Sequence, residues 1–338
     1  MASVKKRATN ALKICGKADD KSYRDSLVKT AKALMNLDNV EIISHRAPDG
    51  DTLGCSSALC RGLRFLGKKA NVVCADAIPD KYAFLFDGIE PQALEAQHFV
   101  TVDIAAPHLM GKLKETYENK IDVCIDHHID NSISAPVKMV DQHAAATAEI
   151  IWQLLSAMGV VIDQSIANDL FAALSTDTGC FKYSNVTEQT HLIAIELMKC
   201  GAECAKINYK LIDEETKAKM ELKKQSLATL EYFCDNRCAV ITITKAMMEA
   251  SGALPEDTDG ISNIPRIISG VDCGITMRET DDGWKISVRS DEKLNAATLC
   301  GRFGGGGHAA AAGCKFNASY EDAKKQLIDA AKELLQYQ

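Results

Sequence analysis

No stretch of this 338-residue chain approaches the roughly 18 uncharged apolar residues that a membrane span requires. The N-terminus, "MASVKKRATNALKICGKADD", begins basic but lacks the apolar segment of a secretory signal. Both absences read as a cytosolic protein with no membrane partner. There is no excess of positive charge either. With 46 acids against 39 bases the formal net charge is -7, and a partner such as long duplex DNA or RNA, which needs a basic face, is excluded. A short anionic ligand held by a few local donors is not. Proline is scarce, at 7 residues, and with 46% hydrophobic and 25% charged residues the composition is that of an ordinary globular protein rather than a disordered one. No internal repeat is visible. Cysteine alone is abundant. Thirteen cysteines, an odd number, sit in apolar segments such as "DVCID" and "VDCGI", the pattern of reduced, buried thiols. The pairs Cys200/Cys204 and Cys234/Cys238 lack the two-residue gap of zinc knuckles and read as packing.

At roughly 100 to 200 residues per domain, the length suits two domains. Residues 22–37 read as an amphipathic helix, "NVEIISH" as a strand, and "TLGCSSALCRGLRFLG" as the helix after it. "KANVVCAD", "QHFVTVDIA" and "KIDVCIDHH" are further β-branched runs, with a charged, helical stretch "HLMGKLKETYEN" between the last two. Strands alternating with helices predict an α/β fold with a mostly parallel sheet flanked by helices. From residue 144 the pattern turns helical, and a polar stretch, "EETKAKMELKKQSLATLEYF", predicts one long connecting helix. Beyond it, "RCAVITIT", "VDCGITMRET" and "GWKISVRSD" alternate as strands, followed by "FGGGGHAAAAG" and a terminal helix, a smaller α+β domain. The expected boundaries are a catalytic domain over 1–210, a helical linker over 211–235 and a second domain over 236–338.

Acids and histidines recur where the apolar runs end. His45 is followed by Asp49 and Asp51; Asp103, Asp126, His127 and His128 end later runs, and Asp177 ends a helical one. In a doubly wound sheet such positions converge on the crevice at the C-terminal strand ends. Carboxylates and imidazoles gathered without lysine or arginine repel one another unless cations lie among them. Oxygen and nitrogen donors suit Mn²⁺, Mg²⁺ or Fe²⁺. Two ions sharing a carboxylate, about 3.5–4 Å apart, would use the donors economically. "DGDTLG" fails as a calcium loop, since Leu53 and Cys60 fall where oxygen ligands belong. Taken alone, the same residues also fit a plain strand-to-helix turn with an aspartate cap.

The joint occurrence of "HRAPDGD", "VDIA", "DHH" and "TDTGCF", with "FGGGGHAAAAG" near the end, resembles the DHH phosphoesterase family with its C-terminal DHH-associated domain. "ISNIPRIISGVDCGITMRE" and "SVRSDEKLNA" are similar to the branch that acts as a short-RNA ribonuclease and 3'-phosphoadenosine 5'-phosphate phosphatase. The resemblance implies one Mn²⁺ on His45, Asp49 and Asp103, and a second on Asp51, Asp103, His127 and Asp177, with Asp103 bridging. It implies that Asp126 orients a ligand imidazole, that His128 faces the scissile phosphate, and that water activated by the ions is the nucleophile. The implied substrates are short single-stranded RNA, dinucleotides or 3'-phosphoadenosine 5'-phosphate.

"GGGGH" lies inside a compact domain rather than between domains. It is expected to form a backbone nest in which Gly305, Gly306 and Gly307 approach a phosphate and His308 adds a donor. Arg289, on an alternating strand, suits bidentate capture of a terminal phosphate, or else is an exposed strand arginine. Ser290 and Arg266 complete the expected substrate contacts. Two rival functions remain open. A manganese-dependent inorganic pyrophosphatase shares the metal motifs but needs clustered bases in its second domain. A non-catalytic nucleotide-binding regulator would tolerate lost ligands, whereas all seven expected metal-site positions, Asp126 included, are filled. A homodimer is compatible with the sequence, which does not specify the oligomeric state.

Overall fold

The structure is a computed structural model that describes residues 2–17, 19–258 and 260–336. The chain divides into two compact units, Met1–Glu214 and Glu215–Gln338. No helix among the described residues is long and apolar enough to cross a membrane. All thirteen cysteines are free thiols.

The first unit is built on a parallel sheet of β1 (Val40–Ser44), β2 (Ala70–Cys74), β3 (His98–Val102), β4 (Val123–Asp126) and β5 (Val137–Val140), in the order β2-β1-β3-β4-β5. The order reverses direction between β1 and β3, the place where open α/β sheets form their ligand crevice. The helices are α1 (Ala2–Ile14), α2 (Lys21–Asn36), α3 (Gly50–Phe65), α4 (Lys114–Tyr117), α5 (Thr147–Met158), α6 (Gln164–Asp177), α7 (Glu188–Lys199) and α8 (Cys204–Asn208). One large core joins α1, α2, α3, α5, α6 and α7 to the sheet through residues such as Leu27, Ile42, Leu59, Ile151 and Leu170. A smaller one, with Ile43, Ile104, Met110 and Cys124, covers strand residues that point the other way, as period-two alternation requires.

Helix α1 went unread in the sequence. Its Val4, Ala8, Ala11 and Leu12 form a buried stripe at helical spacing, and Arg7 donates to the carbonyls of Ala157 and Met158 at the end of α5. The charged stretch 108–119 is not one helix. Pro107–Leu113 forms tight 3-10 turns broken at Gly111, whose φ is +57°, and only Lys114–Tyr117 is α-helical.

The second unit carries a mixed sheet of β6 (Glu231–Phe233), β7 (Cys238–Ile243), β8 (Cys273–Thr280), β9 (Gly283–Ser290), β10 (Gly306–His308) and β11 (Ala311–Phe316), ordered β10-β11-β9-β8-β7-β6. Helices α9 (Lys217–Leu227), α10 (Lys245–Ser251), α11 (Ala296–Gly301) and α12 (Tyr320–Gln336) accompany it. The expected long connecting helix over 214–233 is therefore shorter. It stops at Leu227, because the Thr229 hydroxyl turns back to the Ser226 carbonyl and Glu231–Phe233 pairs antiparallel with β7. The reading of 304–308 as a backbone nest does not hold either. Gly306–His308 is an exposed edge strand paired with β11, with φ at +70° for Gly304 and +145° for Gly307.

Candidate metal centre

Three strand ends and two helix ends bring the acids and histidines together. His45 follows β1, Asp103 follows β3, and His127 and His128 follow β4. Asp49 caps α3, its Oδ1 accepting the backbone N–H of Asp51 and Thr52 at 3.1 and 3.2 Å, and Asp177 closes α6. His45 Nε2 lies 3.5 Å from Asp49 Oδ1 and 3.7 Å from Asp103 Oδ2. His127 Nε2 lies 4.0 Å from Asp51, 3.7 Å from Asp103 Oδ1 and 3.3 Å from Asp177. The donors thus fall into two sets, His45/Asp49/Asp103 and Asp51/His127/Asp177, with Asp103 reaching both, and Asp103, His127 and His128 also cluster.

Both ring orientations leave lone pairs for a cation. His45 Nδ1 bonds the Arg46 carbonyl at 2.8 Å and His127 Nδ1 bonds the Ala144 carbonyl at 3.1 Å, so each Nδ1 carries the proton and each Nε2 faces the carboxylates. Among the described residues no lysine or arginine is in ion-pair reach of Asp49, Asp51, Asp103 or Asp177. The acids respond accordingly. Burial, then the charges of Asp103, Asp177 and Asp49, push Asp51 well above the usual carboxylate range. Burial and Asp49 raise Asp103. Asp177 goes up to about 6 from burial, with Asp103 and Asp49 adding to it against His127. Burial opposes the charge on His45, but Asp49 and the Arg46 carbonyl carry it up to about 9. A cluster that takes up protons to relieve its own repulsion fits a site built for cations, and its oxygen and imidazole donors suit Mn²⁺, Mg²⁺ or Fe²⁺.

His128 is placed differently. Its Nδ1 bonds Asp126 Oδ1 at 2.8 Å, its side chain is about half exposed at 47%, and the Asp126 hydrogen bond carries it up to about 9. Asp126 is fully buried. Burial opposes its charge, yet the bonds from His128 and from Asn131 Nδ2, the latter at 2.6 Å, hold it below the usual range. The imidazole that Asp126 orients is that of His128, whereas His127 Nδ1 is held by the Ala144 carbonyl.

Two glycines let this geometry form. A Cβ on Gly50 would collide with the Thr176 side chain, and one on Gly54 with the Asp169 carbonyl and Ala173, so α3 and α6 touch through them. That contact brings Asp49 and Asp51 to Asp177. Thr147 and Asn131 escaped the sequence reading, although each bonds an acid of the cluster. A lone Thr at a helix start and a lone Asn five residues after Asp126 carry no periodic signal.

In the second unit, β9 gathers the residues expected at the substrate. Arg289 Nε donates to Asn263 Oδ1 at 3.1 Å and Nη1 to the Val288 carbonyl at 3.1 Å, while Arg266 Nε donates to the Ser290 carbonyl at 3.1 Å. Gly306, Gly307 and His308 are exposed, and Gly305, half-buried, leads into their strand. Ser290 is not an open donor. It is fully buried and its hydroxyl donates to the Ala309 carbonyl at 3.0 Å, tying down the β10–β11 turn.

Residues 39–175 match the model of the DHH family, N-terminal domain, and residues 241–337 match that of the DHHA1 domain. A bifunctional oligoribonuclease and PAP phosphatase NrnA from Thermus thermophilus is 28% identical over 330 residues, covering 95% of this chain and 98% of that protein. One of the same name from Bacillus subtilis is 24% identical, covering 86% and 93%. The crystal structure of an exopolyphosphatase-related protein from Bacteroides fragilis superposes with a TM-score of 0.82 at 25% identity, covering 93% of this chain and 98% of the other.

Proposed function

The chain belongs to the DHH family, its DHH domain followed by a DHHA1 domain, and from that premise we propose that it is a divalent-metal phosphoesterase hydrolysing short oligoribonucleotides, linear dinucleotides and 3'-phosphoadenosine 5'-phosphate. The observation that carries the reading is the convergence of His45, Asp49, Asp51, Asp103, His127 and Asp177 at the sheet's switch point, in two donor sets that share Asp103. The names of the NrnA relatives support the substrate class.

In this proposal His45, Asp49 and Asp103 hold one cation, Mn²⁺ by preference, and Asp51, Asp103, His127 and Asp177 hold the other. Bound there, the pair would supply water ionised near neutral pH and neutralise charge on the phosphoryl oxygens. The chain's own part is orientation and proton placement. Asp126 fixes the Nδ1–H of His128, and with the ring protonated its Nε2–H would donate to a phosphoryl oxygen as charge gathers on it. Asn131 holds Asp126 through its second oxygen. Arg289, Arg266 and the exposed strand Gly306–His308 are the proposed phosphate or nucleotide contacts of the second unit. An acidic chain without a basic stripe has few means of tracking a long strand, so short substrates are favoured. The proposed setting is the cytoplasm, since a thiol-rich chain suits a reducing compartment.

The test is a product profile in Mn²⁺ on a linear dinucleotide, a 5-mer and a 40-mer RNA, 3'-phosphoadenosine 5'-phosphate and pyrophosphate. The expected result is turnover of the dinucleotide, the 5-mer and 3'-phosphoadenosine 5'-phosphate, with the 40-mer slower. Turnover of pyrophosphate alone points to the pyrophosphatase reading. Tight nucleotide binding with no turnover points to the regulator.

A further inference from the structure

Thr147, the first residue of α5, touches both donor sets of the acidic cluster. Its hydroxyl donates to Asp103 Oδ1 at 2.9 Å and its backbone N–H to Asp51 Oδ2 at 2.7 Å, while the next amide, of Ala148, donates to Asp51 Oδ1 at 3.2 Å. The residue is fully buried, and no side chain of its own segment caps α5. The first orphan amides of the helix are thus satisfied by a carboxylate from α3.

We infer that Thr147 is a positioning residue that fixes the rotation of the Asp103 carboxylate, so that one oxygen faces each donor set. The inference rests on the two-metal reading above and adds a residue that is not itself a ligand. The backbone of Asp103 is already pinned, its N–H bonded to the Ile125 carbonyl at 2.9 Å and its φ at +61°. What remains free is the terminal torsion of its side chain, which is broad and two-fold in aspartate. Oδ2 lies 3.7 Å from His45 Nε2 and Oδ1 3.7 Å from His127 Nε2, an arrangement a bridging carboxylate needs and a freely rotating one loses. The Thr147 hydroxyl is the hydrogen-bond donor that distinguishes the two oxygens. Because the same residue's amide holds Asp51, the first turn of α5 sets the bridge and a neighbouring ligand in one register.

Metal-stripped wild type, Thr147→Val and Thr147→Ser should be titrated with Mn²⁺ by calorimetry, and the loaded proteins examined by electron paramagnetic resonance. Valine keeps the shape and removes the donor; serine keeps the donor. Wild type and Thr147→Ser are expected to bind two ions and give an exchange-coupled spectrum. Thr147→Val is expected to bind the second ion about 10–100-fold more weakly, to lose the coupled signal, and to show a lower kcat with little change in KM. A purely structural role would instead lower the melting temperature of the metal-free protein and leave the coupling intact. Two ions bound with wild-type affinity and coupling in Thr147→Val overturn the inference. Should Thr147→Val not fold, Thr147→Ala read against Thr147→Ser decides it, and equal metal binding by those two overturns it. A wild type that binds fewer than two ions overturns the two-metal reading itself, before any variant is compared.

Discussion

Asp126 accepts a hydrogen bond from His128 Nδ1 at 2.8 Å, whereas the adjacent His127 donates from its own Nδ1 to the Ala144 carbonyl at 3.1 Å. Two neighbouring histidines are thereby turned to different work. His127 points Nε2 into the carboxylates, and His128 is tied by Nδ1 to Asp126 beside them.

Loosening that second arrangement should separate chemistry from metal binding. Asn131→Ala removes the donor on Asp126 Oδ2 and leaves the donor sets intact. The expected outcome is a kcat lowered by about 10–100-fold with two ions still bound, measured by steady-state kinetics alongside elemental analysis. Loss of metal in proportion to loss of activity would make Asn131 part of the metal scaffold instead.

Asp103→Ala should be among the most damaging changes, because its carboxylate is the one that reaches both donor sets. The variant is expected to retain fewer than two ions and to lose turnover, the same outcome expected of chelation in the wild type. Asp126→Ala should keep metal. Asp103→Ala with two ions per chain would remove the bridge from the account.

The contact of α3 with α6 predicts a stability effect with a functional echo. In Gly54→Ala the new methyl meets the Asp169 carbonyl and Ala173, so the helices must part. Overpacking of this kind costs about 1–3 kcal/mol. Denaturant unfolding should show that loss, and Mn²⁺ affinity should fall because Asp49 and Asp51 move relative to Asp177. A variant as stable as wild type with unchanged affinity would mean the glycine is incidental.

Substitutions in the second unit should divide by position. A side chain on Gly306 meets no atom within 4 Å, while one on Gly305 or Gly307 runs into β11. Gly306→Val and Arg289→Ala are therefore expected to fold normally, keep both ions and raise KM for a dinucleotide, with generic activity on bis-p-nitrophenyl phosphate unchanged. Gly305→Val should lower the melting temperature first. Equal loss of generic activity in Gly306→Val would place the strand at the reacting centre.

The parallel sheet and the clustered donors were legible because β-branched runs of period two end in His45, Asp103 and Asp126, and parallel topology sends such ends to one edge. What stayed hidden depends on contacts distant in sequence. Strand β5 is four residues interrupted by Lys138, and its identity comes from pairing with β4. The glycine run could be a linker, a nest or a strand, and β11 decides it. Thr147 matters only because Asp51 and Asp103, 96 and 44 residues away, fold onto it. Helix α1 was legible in principle from Val4, Ala8, Ala11 and Leu12, a stripe masked by the basic residues between them.

The most direct test of the central claim is a crystal structure of the Mn²⁺-soaked protein with anomalous data collected at the manganese edge. The account predicts two anomalous peaks about 3.5–4 Å apart, one against His45, Asp49 and Asp103 and the other against Asp51, Asp103, His127 and Asp177. A single peak, or two that do not share Asp103, would contradict it.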